Sequence, residues 1–169
     1  MTKRLTHLDE NGHIHMVNVG AKELTQRVCI ARSEVHMAPE TLAKITDGVM
    51  PKGDVFATAR LAGIQAAKRT DEWIPLAHPL PLDAVEIELT PGPQGDRVLI
   101  EARAEAHWRT GVEMEAMVAA SAAGLTIYDM CKAIDRGMSV EATRLIYKSG
   151  GKSGEWRASP GVREGNESS

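Results

Sequence analysis

The strongest candidate for acid–base chemistry in this sequence is the pair Asp129 and Lys132. The two residues are three positions apart in the run LTIYDMCKA over residues 125–133, and positions three apart share one face of a helix. Because the neighbouring residues are largely apolar, we expect the pair to be partly buried. A buried carboxyl group beside an ammonium group can be tuned for proton transfer. The alternative is an exposed ion pair, which would contribute little to stability.

His78 is a second candidate, since it lies in the run WIPLAHPL over residues 73–80. Pro75 and Pro79 restrict the backbone on both sides of it. A stiff loop presents a side chain at little entropic cost, which suits ligand binding or proton transfer. The alternative is a histidine whose ring is hydrogen-bonded to a neighbouring carbonyl group.

Two lysines are placed where they could bind an anion. Lys52 comes just before Asp54, a typical N-cap residue, and a cation at a helix N-terminus would help to bind an anion there. Lys148 opens the glycine-rich run KSGGKSG over residues 148–154. This run is not a phosphate-binding P-loop, because Ile146 stands where that motif needs glycine and no helix is expected after it. A solvated tail is the alternative for this segment.

Two glutamates stand at the start of the same apolar run. Thr110 and Glu113 have the spacing of a helix capping box, which would give Glu113 a structural role, whereas Glu115 has no such explanation. At about 1.5 Å per residue, Glu115 and Asp129 stand about 21 Å apart along one helix. They could serve one reaction only at opposite ends of a long substrate or from two different subunits.

No metal site is expected from the sequence. His13 and His15 form a His-x-His pattern without a cysteine or acidic residue directly beside it, so a surface pair is favoured over metal ligands. Cys29 and Cys131 suit neither a zinc ribbon nor a disulfide framework. Lys132 could activate the thiol of Cys131, but a buried apolar role is favoured for this cysteine.

The elements that must position these residues follow from hydrophobic periodicity and from proline and glycine. In chain order the pattern predicts a strand over residues 25–36, a helix over 40–46, a helix over 54–69, a proline-stiffened loop to residue 81, strands over 85–89 and 98–104, a helix over 110–137 and a strand over 140–147. This order, β-α-α-β-β-α-β, predicts an α+β fold of the ferredoxin-like split βαβ type, with an antiparallel sheet and helices packed on one face. The half-covered sheet and the alanine-rich helices predict an oligomer.

Composition indicates one domain in 169 residues, of which 43% are hydrophobic and 25% charged. We expect a single catalytic domain over residues 13–155, between a flexible N-terminus (1–12) and a flexible C-terminal tail (156–169). No apolar run approaches the length of a membrane span and no signal-like stretch follows the N-terminus, so a cytoplasmic protein is expected. A net charge of −3 and 4% aromatic residues disfavour nucleic-acid binding. The alternative to an enzyme is a ferredoxin-like RNA-binding or oligomerisation module without catalysis.

Four segments of the chain together resemble the MoaC family, the cyclic pyranopterin monophosphate synthases of molybdenum cofactor (molybdopterin) biosynthesis. They cover residues 52–70, 74–80, 111–133 and 148–154. The resemblance implies a lyase without a redox cofactor, which converts (8S)-3′,8-cyclo-7,8-dihydroguanosine 5′-triphosphate into cyclic pyranopterin monophosphate and diphosphate. It also implies ferredoxin-like subunits in a homohexamer, a trimer of dimers, with sites at dimer interfaces. Whether Mg²⁺ accompanies the triphosphate is left open.

The same resemblance implies roles for individual residues of this chain. The catalytic residues of the family fall on Asp129, Lys52 and Lys132, and its substrate-binding residues fall on Leu76, Ala77, His78, Met114, Glu115 and Lys148. Two positions depart from the family pattern. Ala77 stands where family members commonly have cysteine, so no thiol role is assigned there, and Asn18 stands where they commonly have aspartate. Glu113 and Lys68 receive no role from the resemblance.

Overall fold

The computed structural model describes residues 12–159, which form one antiparallel sheet of five strands together with four helices. In chain order the elements are β1 (Thr25–His36), α1 (Pro39–Thr46), α2 (Val55–Ala67), α3 (Thr70–Trp73), β2 (Ala84–Pro91), β3 (Arg97–Trp108), α4 (Glu113–Cys131), β4 (Ser139–Ser149) and β5 (Trp156–Arg157). The α+β class is therefore confirmed. No helix among these residues is long and apolar enough to cross a membrane.

The sheet has the strand order β2-β3-β1-β4-β5, and every neighbouring pair is antiparallel. Strands β1 and β2 therefore run parallel to each other on either side of β3. Strands β3 and β4 have the same relation on either side of β1. This interleaving fits the split βαβ arrangement that the sequence predicted.

The helices pack on one face of the sheet because alternate strand residues are apolar. Cys29, Ala31 and Val35 of β1 are buried, and so are Val98, Ile100, Ala102, Ala104 and Ala106 of β3. Helix α4 lies over β1, β3 and β4, with α2 beside it and against β2. A Cβ atom at Gly63 of α2 would stand 3.0 Å from the carbonyl oxygen of Ala119 of α4, so the small residues bring the two helices into close contact.

Helix α4 differs from its prediction at both ends. The predicted capping box is wrong, because the N-cap is Val112, which makes no side-chain cap, and Glu113 is already helical. The helix ends at Cys131 rather than near Gly137. The chain turns there so that Asp135 can accept hydrogen bonds from the backbone of Ala38 (2.9 Å) and the hydroxyl of Thr41 (3.1 Å) at the start of α1.

Helix α3 and strand β5 were not expected. Trp156 and Arg157 pair with Lys148 and Tyr147 of β4, and the guanidinium of Arg157 stacks on the Tyr147 ring at 4.4 Å. The glycine-rich run is therefore the loop of a β4–β5 hairpin. Most of the two predicted flexible ends lies outside the described residues, and the division into domains stays a prediction.

Candidate active site

Two lysines from different parts of the chain converge on one aspartate, and we call Lys52, Asp129 and Lys132 the Asp129 cluster. The ammonium of Lys52 lies 2.9 Å from Oδ2 of Asp129, and it also donates to the backbone carbonyl of Asp129 at 2.8 Å. The ammonium of Lys132 lies 2.7 Å from Oδ1. Lys52 comes from the turn before α2, where Asp54 caps the helix by accepting from the amide of Ala57 at 2.9 Å. One carboxylate thus holds two ammonium groups, and the cluster keeps a net positive charge.

The expected burial of the Asp129–Lys132 pair is wrong. The Asp129 side chain is 57% exposed, because Ile127, Met130 and Cys131 face the core whereas Asp129 lies on the other side of the helix. The hydrogen bonds from Lys132 and Lys52 lower the pKa of Asp129 to about 2, and Asp129 in turn raises the pKa of Lys132. Asp129 is therefore an ionised carboxylate at neutral pH rather than a group poised to exchange a proton.

The first turn of α4 and the proline-stiffened loop enclose a cavity of about 430 Å³, which we call the α4 cleft. It is lined by five of the predicted substrate-binding residues, Leu76, Ala77, His78, Met114 and Glu115. Val17, Val19 and Lys22, which precede β1, close its other side. A cavity of this volume is in the range of small-molecule sites.

His78 is held in the α4 cleft by a backbone contact. Its Nε2 lies 2.9 Å from the carbonyl oxygen of Val17, which can only accept, so Nε2 carries the hydrogen. The carbonyl-bonded histidine that the sequence left as an alternative is therefore what the structure contains. The contact ties the segment before β1 to the proline-stiffened loop.

Glu115 is the buried acid of the α4 cleft, with 4% of its surface exposed. Burial raises its pKa to about 7, and the negative charges of Glu113 and Asp71 add to the effect. A carboxyl group with this pKa exists in both protonation states near neutral pH. Residues of this kind in a cavity are candidates for proton transfer.

A second cavity, of about 810 Å³, adjoins the α4 cleft, and we call it the glycine-loop cavity. Five cationic residues line it: Lys22, Arg27, Arg109, Lys148 and Lys152. The ammonium of Lys148 lies 2.9 Å from Oε1 of Glu113. Both cavities share Lys22, Thr110, Gly111 and Glu113 as lining residues, so they adjoin at these residues.

Arg27 lies between the glycine loop and the end of β3, beside this cavity. Its guanidinium donates to the carbonyl oxygens of Trp108 (3.3 Å) and Arg109 (3.4 Å). A Cβ atom at Gly151 would overlap Nη1 of Arg27, and one at Gly150 would overlap the carbonyl oxygen of Gln26. Both glycines have positive φ, +69° and +98°, so larger residues are excluded by conformation and by space.

Three of these cationic residues were not predicted from the sequence: Arg27, Arg109 and Lys22. Arg27 could have been found, because it has the same parity as the buried strand residues Cys29, Ala31 and Val35. A cation at a core-facing strand position needs a partner or a ligand. Arg109 and Lys22 lie in irregular segments and gave no such signal.

The nine predicted site residues therefore fall into two groups in one protomer. The Asp129 cluster stands at the C-terminal end of α4, and the cleft and the glycine-loop cavity stand at its N-terminal end. About 21 Å of helix separates Glu115 from Asp129. Among residues 12–159, no group of three or more histidine, cysteine, aspartate or glutamate residues could hold a metal ion.

The family model described as "MoaC family" matches residues 16–151, a range that includes all nine predicted site residues. The chain belongs to the MoaC family. Among curated MoaC relatives, the cyclic pyranopterin monophosphate synthase of Pelotomaculum thermopropionicum is 57% identical over 150 residues, 89% of this chain and 88% of the relative. The proteins of the same name from Chloroflexus aurantiacus (56% over 153 residues, 90% and 94%) and Rhodospirillum rubrum (55% over 155 residues, 92% and 93%) are similar over comparable lengths.

Proposed function

We propose that this protein is a cyclic pyranopterin monophosphate synthase, a lyase of molybdenum cofactor biosynthesis. It converts 3′,8-cyclo-7,8-dihydroguanosine 5′-triphosphate into cyclic pyranopterin monophosphate and diphosphate. The observation that carries the proposal is the Asp129 cluster, two ammonium groups gathered on one carboxylate, in a chain 55–57% identical to enzymes of that name.

The cations serve the phosphate end of the reaction. When a cyclic phosphate closes, a substrate hydroxyl attacks the α-phosphorus and diphosphate leaves with its negative charge. Ammonium groups fixed beforehand stabilise this developing charge without reorganisation. In the proposal Lys52 and Lys132 are the catalytic cations, Asp129 orients both of them, and Lys148 binds substrate from the glycine-loop cavity.

The α4 cleft receives the guanine-derived ring and the sugar. Leu76, Ala77 and Met114 supply apolar contacts, while His78 and Glu115 supply polar groups. This mixture of apolar walls and few polar groups is typical of small-molecule sites. No redox cofactor is part of the proposal, and Mg²⁺ would be bound by the triphosphate rather than by an assigned protein ligand.

The distance between the two groups supports a site shared between subunits. We propose a homohexamer, a trimer of dimers, in which the Asp129 cluster of one subunit faces the α4 cleft of another. Exposed apolar side chains on the outer side of the helical layer, Leu61 (57%), Trp73 (53%) and Leu125 (55%), support an interface there. Two α4 helices packed antiparallel about a twofold axis would bring Glu115 of one protomer towards Asp129 of its partner. A cytoplasmic location is part of the same proposal.

Incubation with the cyclised nucleotide, followed by phosphorus NMR, tests the function directly. The expected result is release of diphosphate by the wild-type protein and at least ~100-fold less by Lys52→Ala, the scale of a lost catalytic group. Lys44→Ala is the matched control, because Lys44 is an exposed lysine of α1 and lines neither cavity. Absence of diphosphate release by the folded wild-type protein would refute the proposal.

A further inference from the structure

Glu115 is buried without a cationic partner, which is rare for a charged residue. Lys148 is paired with the neighbouring Glu113 at 2.9 Å. Among residues 12–159, no lysine or arginine forms an ion pair with Glu115; its carboxylate is hydrogen-bonded by its own backbone amide. The side chain lies against the α4 cleft, which is also lined by His78 and Lys22.

The groups around Glu115 decide which protonation state it adopts. Glu113 on α4 and Asp71 on α3 are negative and favour the neutral acid, in the same direction as burial. Lys22 before β1 and His78 on the proline-stiffened loop line the same cavity and would favour the carboxylate when charged.

Two further groups face this region from the sheet. Cys29 of β1 has its pKa raised to about 12, by burial first and by the charges of Glu113 and Glu115 as well, so its thiol stays neutral. Lys148 of β4 is engaged by Glu113. Within one protomer burial therefore dominates at Glu115, and its pKa of about 7 contrasts with the value of about 2 at Asp129.

We propose that Glu115 is a further catalytic residue, the carboxylic acid that delivers a proton to the ring system bound in the α4 cleft. This inference rests on the proposed function and adds to it a chemical role for a residue otherwise expected only to bind substrate. The supporting observations are its burial, its position in the wall of the α4 cleft and the absence, among residues 12–159, of a lysine or arginine paired with it.

The proton transfer follows from the structure of the substrate. In a 3′,8-cyclo-7,8-dihydroguanosine, C8 is saturated and is bonded to both N7 and N9. When one of these C8–N bonds breaks, its electron pair goes to the departing nitrogen, which takes the proton of the Glu115 carboxyl group. The other nitrogen shares its lone pair with C8, so an iminium bond forms, and Glu115 is left as the carboxylate until water returns a proton. An acid with a pKa near the working pH suits such a step.

The test is the pH dependence of kcat in Glu115→Gln, compared with wild type and Glu113→Gln. Because the acid form is the active one, the wild-type kcat should fall as the pH rises above about 7. Glu115→Gln should lose at least ~100-fold in kcat, with KM changed by less than ~3-fold, and its remaining activity should lack this descending limb. Glu113→Gln removes a negative neighbour of Glu115 and so lowers the pKa of Glu115. The descending limb of its kcat profile should therefore persist and move to lower pH. Glu115→Asp keeps a carboxyl group, so its kcat should still fall at high pH.

Carbon-13 NMR of the glutamate carboxyl carbons in the substrate-free oligomer provides a second readout. One signal should titrate near pH 7 in the wild-type protein and be absent in Glu115→Gln. Three results for Glu115→Gln would overturn the inference: a near-normal kcat, an unchanged descending limb, or a raised KM at unchanged kcat. Diphosphate release by the wild type would in each case still support the proposed function. A wild-type protein that releases no diphosphate would instead remove the function itself.

Discussion

The glycine loop offers a prediction whose size can be worked out position by position. Gly150, Gly151 and Gly154 all have positive φ (+98°, +69° and +64°), but their surroundings differ. A Cβ atom at Gly154 would meet nothing within 4 Å. One at Gly151 would overlap the end of a flexible side chain, Arg27, whereas one at Gly150 would overlap the backbone carbonyl of Gln26, which cannot move independently.

These differences predict a ranked series of alanine substitutions. Gly154→Ala should cost about 1 kcal/mol, the cost of the left-handed conformation alone. Gly150→Ala should cost about 3 kcal/mol, since an overlap that the chain cannot relieve adds ~1–3 kcal/mol. The loss of stability for Gly151→Ala should lie between these two values. At about 2–4 °C per kcal/mol for a chain of this size, the melting temperature should fall by about 2–4 °C for Gly154→Ala and about 6–12 °C for Gly150→Ala.

The assay is thermal or urea unfolding at one protein concentration, because an oligomer's apparent stability depends on concentration. A double-mutant cycle tests the contact with Arg27 directly. In an Arg27→Ala background, Gly151→Ala should lower the free energy of unfolding no more than Gly154→Ala does. Diphosphate release should fall more for Gly150→Ala than for Gly154→Ala, because only the former displaces Lys148 from Glu113. Two results would show that crowding against β1 does not determine the stability of the loop. One is an equal loss of unfolding free energy for Gly150→Ala and Gly154→Ala. The other is a loss for Gly151→Ala that Arg27→Ala leaves unchanged.

Three further predictions concern the two ends of α4. The folded pKa of Asp129 (about 2) is below the ordinary value of ~3.9, so its contribution to stability is present above pH ~4 and lost as the pH falls through 2. The difference in urea midpoint between wild type and Asp129→Asn should therefore disappear near pH 2. A difference that persists at pH 2 would contradict this prediction. For Glu115 the direction is opposite, because its folded pKa is raised to about 7 from ~4.3. Its contribution to stability is therefore complete below pH ~4 and is lost as the pH rises through 7, by about 4 kcal/mol at most. Glu115→Gln should accordingly gain stability relative to wild type between pH 4 and 8, and parallel pH profiles would refute this. Mixed Glu115→Ala and Asp129→Ala subunits should regain some activity if the two residues serve one site from different chains; no recovery after confirmed subunit exchange would rule out the shared site.

Much of the fold could be predicted because its causes are local. The mixed run that contains Val28, Ile30 and Val35 predicted a strand over residues 25–36, and the structure confirms these bounds, Thr25–His36. Asp54 caps α2 through its own side chain, a contact between residues three positions apart. The apolar alternation on both sides of a proline- and glycine-containing turn predicted the β2–β3 hairpin correctly. For the cap and for the hairpin turn the deciding interaction lies within a few residues of its signal, whereas β1 is paired with the distant strands β3 and β4.

The errors occurred where a distant residue competes with a local pattern. Glu113 has the capping-box spacing, yet its carboxylate is bonded to Lys148 of β4 instead of capping α4. Helix α4 stops early because Asp135 is used at the start of α1. The apolar neighbours of Asp129 in sequence suggested burial, but a helix directs successive residues to different sides, so Asp129 is exposed.

The sequence by itself therefore determined which groups this protein carries, the elements that hold them and the family to which they correspond. Only the tertiary structure decided which groups meet. The contact between Lys52 and Asp129 joins residues far apart in the chain, and it depends on the packing of α2, which follows Lys52, beside α4, which carries Asp129. Glu115 and Asp129 are both carboxylates of one helix, and their pKa values separate because one is buried in a cleft and the other is exposed beside two ammonium groups. Burial and long-range contact depend on all the packed elements together, so no local stretch of sequence contains them.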